Sequence, residues 1–173
     1  MESKRIVLRE LAESDATALY DVFSNEKAMR HWDSAPHRDV SVTLKAISRM
    51  LELWHIQQGI SWGVVVKESQ TLIGQCSFHS WNIEQKEAQL GYILNPQYWG
   101  NGYGGEVLKT VVDFGFKRLG LKTIIAEIDP KNFPSAAILG KNGFFVSEHR
   151  KSNLIVNGIY HDTHIYKLQN SHA

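Results

Sequence analysis

The segment 97–106, Gln-Tyr-Trp-Gly-Asn-Gly-Tyr-Gly-Gly-Glu, constrains this chain more than any other stretch. Four of the six residues from Gly100 to Gly105 are glycine. Ahead of it lies an apolar run of strand character, Gln89-Leu90-Gly91-Tyr92-Ile93-Leu94, closed by Asn95-Pro96. Behind it, residues 107–119 read as a helix. The order is therefore strand, glycine-rich turn, helix. Glycines let a backbone turn tightly and leave its N–H groups uncovered by side chains. The first turn of a helix has unpaired N–H groups and the positive end of a dipole. A glycine-rich loop feeding such a terminus suits an anion, phosphate above all. The same composition also suits a plain turn that binds nothing. No Gly-Lys-Ser/Thr follows, so the loop is not a Walker motif. No early βαβ unit with a ribose-binding acid surrounds it, so it is not a good dinucleotide fingerprint either.

The 173 residues suit one domain, expected to span 1–173, and 43% hydrophobic content supplies a sizeable core. A net charge of +1, with both signs spread along the chain, argues against a dedicated nucleic-acid or anionic-membrane binder. Cys76 is the only cysteine, which rules out an internal disulfide and a thiol metal cluster. The start, Met1-Glu2-Ser3-Lys4-Arg5, lacks the apolar core of a signal peptide. No run approaches the ~20 apolar residues of a membrane span. A soluble cytoplasmic protein is expected.

Taken in order, residues 6–9 read as a short strand. Ser14-Asp15 offers a helix cap, followed by Ala18, Leu19, Val22 and Phe23 at helical spacing to about Asn25. Residues 29–38 read as a loop. Ser41 or Asp39 caps a second helix with Leu44, Ile47, Met50, Leu51 and Trp54 on one stripe, ended by Gln57-Gln58-Gly59. Residues 62–66 and 72–78 form a hairpin pair, and a strand over 87–94 leads into the glycine loop. After a helix over 103–119, Gly120 signals its end. A strand over 122–128 follows, then a short helix over 135–141 behind Pro134, and a strand from Phe144. Asn157-Gly158 marks a two-residue hairpin, and residues 170–173 read as a frayed tail. Hairpins followed by β-α-β-α-β predict an α/β (α+β) architecture. It has one mixed, mostly antiparallel sheet of six to seven strands, with about four helices on its faces and a splayed central parallel pair.

Several motifs then agree in order and spacing. Gln97-x-x-Gly100-x-Gly102 resembles the Q/R-x-x-G-x-G/A loop of the GNAT superfamily, the acyl-CoA-dependent N-acetyltransferases. Residues 90–100 resemble the strand and loop of its RimJ/RimL-like branch, which acetylates N-termini of ribosomal proteins. Asn132-Phe133-Pro134-Ser135, with Leu139, Lys141, Gly143 and Phe144, is similar to that branch's N-x-x-S…L-x-K-x-G-F segment. Asn157-Gly158-Ile159-Tyr160-His161-Asp162 resembles its N-G-x-Y-x-D hairpin, and residues 6–15 its opening. The resemblance covers nearly the whole chain. It implies acetyl-CoA as cosubstrate, with the N–H groups of Trp99, Gly100, Asn101, Gly102, Tyr103 and Gly104 on its pyrophosphate. Gln97 belongs to the same loop motif. The strand with Ile93 and Leu94 would pair with the pantetheine arm, Asn132 would bond it, and Ser135 would lie near the sulfur.

Acetyl transfer needs a deprotonated amine, a polarised thioester carbonyl and a stabilised leaving thiolate. The N–H of Ile93 or Leu94, at a local bulge, is the expected oxyanion donor. Many superfamily members carry an acidic tyrosine where this chain has Leu139, so Ser135 is the candidate on the thiolate side, with a helix cap as its alternative role. Gln89 stands where a base glutamate is common. Glu87 and His79 are the remaining catalytic candidates, against a solvated carboxylate, a packing histidine and a water chain. Trp32 and Tyr92 are candidates for lining the substrate, or core aromatics. His149, His161 and His164 show no ligand spacing, so no metal is expected. The expected activity is direct acetylation of a primary amine, a protein N-terminal α-amine in the first instance. The alternatives are a small polyamine, held by carboxylates such as Glu26, Asp33, Glu84 or Glu87, and a degenerate CoA-binding sensor. A loop for a nucleotide phosphate is the remotest reading. A homodimer is compatible with this reading; nucleic acid and membrane are not expected partners.

Overall fold

The computed structural model describes residues 1–170. Strand β1 (Ile6–Glu10) is followed by helices α1 (Ala16–Phe23), α2 (Glu26–Met29) and α3 (Val40–His55). Strands β2 (Ile60–Val66), β3 (Leu72–Asn82) and β4 (Glu87–Leu94) lead to α4 (Tyr103–Lys117). Then come β5 (Thr123–Ile128), α5 (Phe133–Lys141), β6 (Phe145–Val156) and β7 (Ile159–Gln169). The seven strands form one sheet in the order β1-β2-β3-β4-β5-β7-β6. Only β4 and β5 run parallel; every other pair is antiparallel. The expected architecture is observed, with five α-helices. Among the described residues no helix is long and apolar enough to cross a membrane.

Both faces of the central strands are covered, which is why β2 and β4 read as near-continuous apolar runs. One face packs Phe78, Leu90, Leu94 and Ala126 against Val107, Leu108 and Val111 of α4 and Leu139 of α5. The other packs Ile93 against Leu19, Val22 and Phe23 of α1 and Ile47 of α3. Burial of each such side chain contributes about 1.5–3 kcal/mol before the entropy of ordering is subtracted. Strand β6 lies at the sheet edge, largely exposed, and its His149-Arg150-Lys151 run discourages pairing with another chain.

The feature that positions the site is the short reach of the parallel pair. β4 and β5 are in register only at Glu87↔Thr123, Ala88↔Ile124 and Gln89↔Ile125. Both strands continue beyond those residues without pairing, while β4 stays on β3 as far as Gly74↔Leu94. Gly74 accounts for the drift of β4 toward β3. A Cβ there would lie 2.1 Å from Ile93 O and 2.9 Å from the Leu94 Cα, closer than strands bearing side chains can come. On its other side, the β2–β3 register shifts between Val64 and Val65, leaving Ile73 as an extra residue opposite. Such a bulge adds local twist.

Local differences from the sequence reading have local causes. The first helix stops at Phe23 because Asn25 accepts the N–H groups of Lys27 and Ala28 and starts the separate turn α2. Asp15 does not cap a helix with its side chain. Its carboxylate takes Arg9 at 2.7 and 2.8 Å and the Ala12 N–H at 2.8 Å. Asp39 caps α3 through the Ser41 and Val42 N–H groups. β3 runs on to Asn82, and α5 starts earlier, at Phe133, capped by Asn132. Asn157 and Gly158 turn at φ 52° and 77°, as a tight hairpin requires. Asn170, expected in a frayed tail, bonds Lys122 O at 2.9 Å; residues 171–173 lie outside the described residues.

Gly74→Val is expected to destabilise the protein by about 1–3 kcal/mol through overpacking and a forced backbone shift. Urea denaturation measures it, and an unchanged midpoint would contradict this account of the β3–β4 approach.

Candidate active site

The glycine loop is shaped as an anion cradle. Gly100 and Gly102 sit at φ +77° and +81°, and a Cβ on Gly100 would meet nothing within 4 Å. Asn95 Oδ1 accepts the Gln97 N–H at 3.0 Å and sets the entry turn. Among the described residues the N–H groups of Gly100, Asn101 and Gly102 have no acceptor within the chain. The first-turn N–H groups of α4 point the same way by helix geometry. Trp99 closes one end, its indole donating to Leu94 O at 2.8 Å. At the back of the loop Glu106 accepts from Ser3 Oγ (2.6 Å), Arg5 N (2.7 Å) and Arg5 Nε (2.8 Å). Arg5 also donates to Asn101 O at 2.9 Å and lies over the Tyr103 ring. Burial acts to raise the Glu106 pKa, but these donors outweigh it and hold the carboxylate ionised. Sequence reasoning missed Arg5, because β1 and α4 meet only in the folded chain.

The β4–β5 gap opens beside this loop. Asn95 N–H donates to Ile73 O, so alternation along β4 turns the Ile93 N–H toward β3 and the N–H groups of Tyr92 and Leu94 toward the gap. The β3–β4 register is continuous from Gly74↔Leu94 to His79↔Gln89, and its shift falls beyond His79, not at the 93–94 bulge expected from sequence. Ser135 Oγ and Tyr92 Oη lie 3.1 Å apart on the α5 side of the gap. Burial pushes the Tyr92 phenol up, which keeps it protonated and able to donate. The Asn132 side chain accepts the Ser135 N–H at 3.3 Å, so Asn132 holds the cap that was the alternative role for Ser135. Leu139 is fully buried in the core.

On the opposite face, β3 presents a polar row: Gln75, Ser77 and His79. Gln75 is 2% exposed, and its Oε1 has no hydrogen-bond partner among the described residues. Burial lowers the His79 pKa, opposed by the charges of Asp33 and Glu127 and by a side-chain hydrogen bond with Gln89. At neutral pH the ring is therefore uncharged and able to take a proton. Glu87 lies opposite Thr123, at the closed end of the parallel pair. A pocket of about 210 Å³ sits between residues 26–36 and the β6–β7 hairpin, its lining including Glu26, Arg30, His31, Trp32, Asp129 and Asp162. His31 Nδ1 and Asp129 Oδ2 lie 2.8 Å apart across it. Of the four carboxylates expected to draw a polyamine, Glu26 lines this pocket and Asp33 acts on His79. His149 and His164 face each other across β6 and β7 with ring centroids 4.1 Å apart.

A family model described as an acetyltransferase (GNAT) domain matches residues 5–145. The chain belongs to this GNAT acetyltransferase family, and it is an N-acetyltransferase that takes its acyl group from acetyl-CoA. An uncharacterized N-acetyltransferase of Bacillus subtilis, YoaA, is 30% identical over 168 residues, 97% of this chain and 95% of the relative. The structure of RimL, a ribosomal L7/L12 alpha-N-protein acetyltransferase in complex with coenzyme A, superposes with TM-score 0.87 at 22% identity, over 96% of this chain and 95% of that one. Spermidine N-acetyltransferase from Vibrio cholerae, in complex with CoA and spermine, superposes with TM-score 0.84 at 20% identity, over 96% of both chains. At such identities the two superpositions speak for the fold.

The free N–H groups of the loop and the unpaired edge of β4 fit a pyrophosphate joined to an amide-bearing arm. Gly102→Val should abolish acetyl-CoA binding, because a β-branched residue is strained at φ +81° and its Cβ would lie 3.4 Å from Arg5 Nη2. Titration calorimetry of the variant measures it, with circular dichroism to check the fold; unchanged affinity contradicts the assignment.

Proposed function

We propose that this protein acetylates a cationic primary amine, with acetyl-CoA lying from the 97–106 loop along the free edge of β4. The observation that carries this reading is the junction of unpaired loop N–H groups with a strand edge left open to the same side. Acetyl-CoA supplies the thioester carbonyl and a thiolate leaving group. Main-chain N–H groups of residues 100–104 hold the pyrophosphate in the loop that Gln97 opens; the Trp99 N–H, expected to join them, is instead donated to Pro96 O at 3.2 Å, and Asn132 caps α5 beside Ser135. The Leu94 N–H, turned into the gap, polarises the carbonyl; the Ile93 side chain packs the strand against α1. Tyr92 and Ser135 form one hydrogen-bonded pair that protonates or stabilises the departing sulfur. His79 takes the amine's proton, a role for which its position near the gap suits it better than that of Glu87.

The acceptor enters under residues 26–36, with Trp32 as an apolar wall. A protein N-terminal α-amine, as in the RimJ/RimL-like branch, is the reading from motif resemblance. The pocket favours a second reading, a small amine with further positive charge. Three carboxylates, Glu26, Asp129 and Asp162, line it with Arg30, His31 and His161, and Asp129 is shared with His31. An acetylation screen with free-N-terminus peptides and polyamines decides between them. Acetyl-CoA binding without thiol release to any amine would instead make the chain a CoA-binding sensor.

Ser135→Ala is expected to lower kcat by about tenfold or more while changing the acetyl-CoA Kd little; an unchanged rate would reduce Ser135 to a packing residue. Because the folded-state pKa of His79 is lowered, kcat/KM should fall only as pH drops below the usual histidine value of 6.5. His79→Gln should remove that acid limb from the pH–rate profile and lower the plateau.

A further inference from the structure

Glu127 lies on β5 within the same sheet face as Asp129, turned toward the side that carries α1 and the 30–39 loop. Its Oε1 accepts from Thr163 Oγ1 at 2.6 Å and from Asn153 Nδ2 at 2.7 Å. Thr163 is 1% exposed, and its hydroxyl also lies 2.9 Å from Asn153 Oδ1. One carboxylate oxygen is thus fixed by two donors, one on the buried Thr163 and one on the exposed Asn153. The other, Oε2, takes no hydrogen bond and no ion pair among the described residues, although the carboxylate's charge is felt by the Arg150 guanidinium. Asp129 differs: its Oδ2 is taken by His31 and its Oδ1 by the Lys131 N–H.

Strand register puts Glu127 across the gap from Gly91. The last paired residues are Gln89 and Ile125, and two steps farther along each strand bring Gly91 and Glu127 to the same level. Gly91 leaves its side-chain position empty: a Cβ there would lie 3.4 Å from His79 Cε1 and 3.7 Å from Ser77 Oγ. Ser77 and His79 of β3 therefore stand over Gly91, and Glu127 stands on the β5 side of the gap. The charge of Glu127 reaches His79 across it.

We propose that Glu127, through Oε2, receives the ammonium group of the acceptor over Gly91 and holds its nitrogen between the carboxylate and His79, facing the gap. The inference rests on the acetyltransferase reading above. The ammonium gives one proton to His79, which frees the nitrogen lone pair. An N–C bond forms at the thioester carbonyl and the C–S bond breaks. The sulfur takes a proton from the Tyr92–Ser135 side, the nitrogen loses its second proton to solvent, and an amide remains. Glu127 exchanges no proton in these steps. Its effect is on the capture and placement of the amine.

Glu127→Gln separates this from a structural role, since glutamine keeps the size and an acceptor oxygen for Thr163 and Asn153 but loses the charge. Two probes are used, spermidine and a pentapeptide with a free N-terminus, each in turnover and in titration calorimetry on the CoA-loaded protein. For whichever probe the wild type takes, KM and Kd should rise about ten- to hundredfold, with the CoA Kd unchanged. The salt dependence of amine binding should flatten, and Glu127→Asp should restore part of the affinity. Equal amine affinity in wild type and Glu127→Gln overturns the proposal, as does a wild type that binds neither probe. Binding of an amine that is never acetylated, but is still lost in Glu127→Gln, would sink the acetyltransfer reading and uphold Glu127 as the amine's partner. Thr163→Val gives a second measure: freeing Oε1 should weaken amine binding by a smaller factor, and no change would count against the fixed carboxylate.

Discussion

Everything that makes this molecule a candidate catalyst depends on β4 being held by one neighbour and released by the other. β3 keeps its grip on β4 along the whole strand, and at Gly74 the two backbones come closer than any side chain would allow. β5 grips only three residues. A strand edge with unpaired N–H and C=O groups is costly inside a protein unless something else pairs with it. The open edge next to a ring of unpaired loop N–H groups therefore marks where a ligand completes the structure. The same edge left open at a sheet margin would invite aggregation; here α4 and α5 flank it on one face and α1 with the 30–39 loop on the other.

The two faces then divide the chemistry. On the α5 side, Tyr92 and Ser135 form a neutral hydrogen-bonded pair in a buried setting that keeps the phenol protonated. On the other side lie His79, uncharged because it is buried, and the carboxylates Glu127 and Asp129. A donor group faces the place where negative charge leaves, and acceptor groups face the place where a cation arrives. The N-terminal segment contributes from a distance. Arg5 and Ser3 lock Glu106, and Arg5 fixes a carbonyl of the loop, so its N–H groups face away from the protein's own acceptors. These contacts are charge-assisted, the kind that fix geometry well, although those of Arg5 are exposed.

How much of this was legible beforehand varied with the kind of interaction. The glycine loop was legible because tight turns and helix starts leave their signature in consecutive residues. The parallel pair, the Asn157-Gly158 hairpin and the Asp39 cap were legible for the same reason. Short-range competition was harder. Asp15 reads as part of the first helix's cap and Asn25 as that helix's end, yet Asp15 is taken by Arg9 and Asn25 starts a new turn. Residues whose role is set by pairing across strands gave no signal at all. Glu127 stands in an alternating β-branched run like any surface position of a strand. Arg5 stands in a charged leader, and His31 in a loop.

The sequence by itself determined the periods of the elements, their order, and the glycine-rich link between the fourth strand and the helix that follows. Those properties reside in runs of neighbouring residues, where backbone freedom and side-chain spacing act locally. Only the tertiary structure decided that β4 leaves β5 after three residues, that Tyr92 meets Ser135, and that His79 stands over Gly91 with Glu127 across the gap. Each of those depends on strand register and on the approach of backbones far apart in the chain, and register is set by the packing of the whole sheet against its helices.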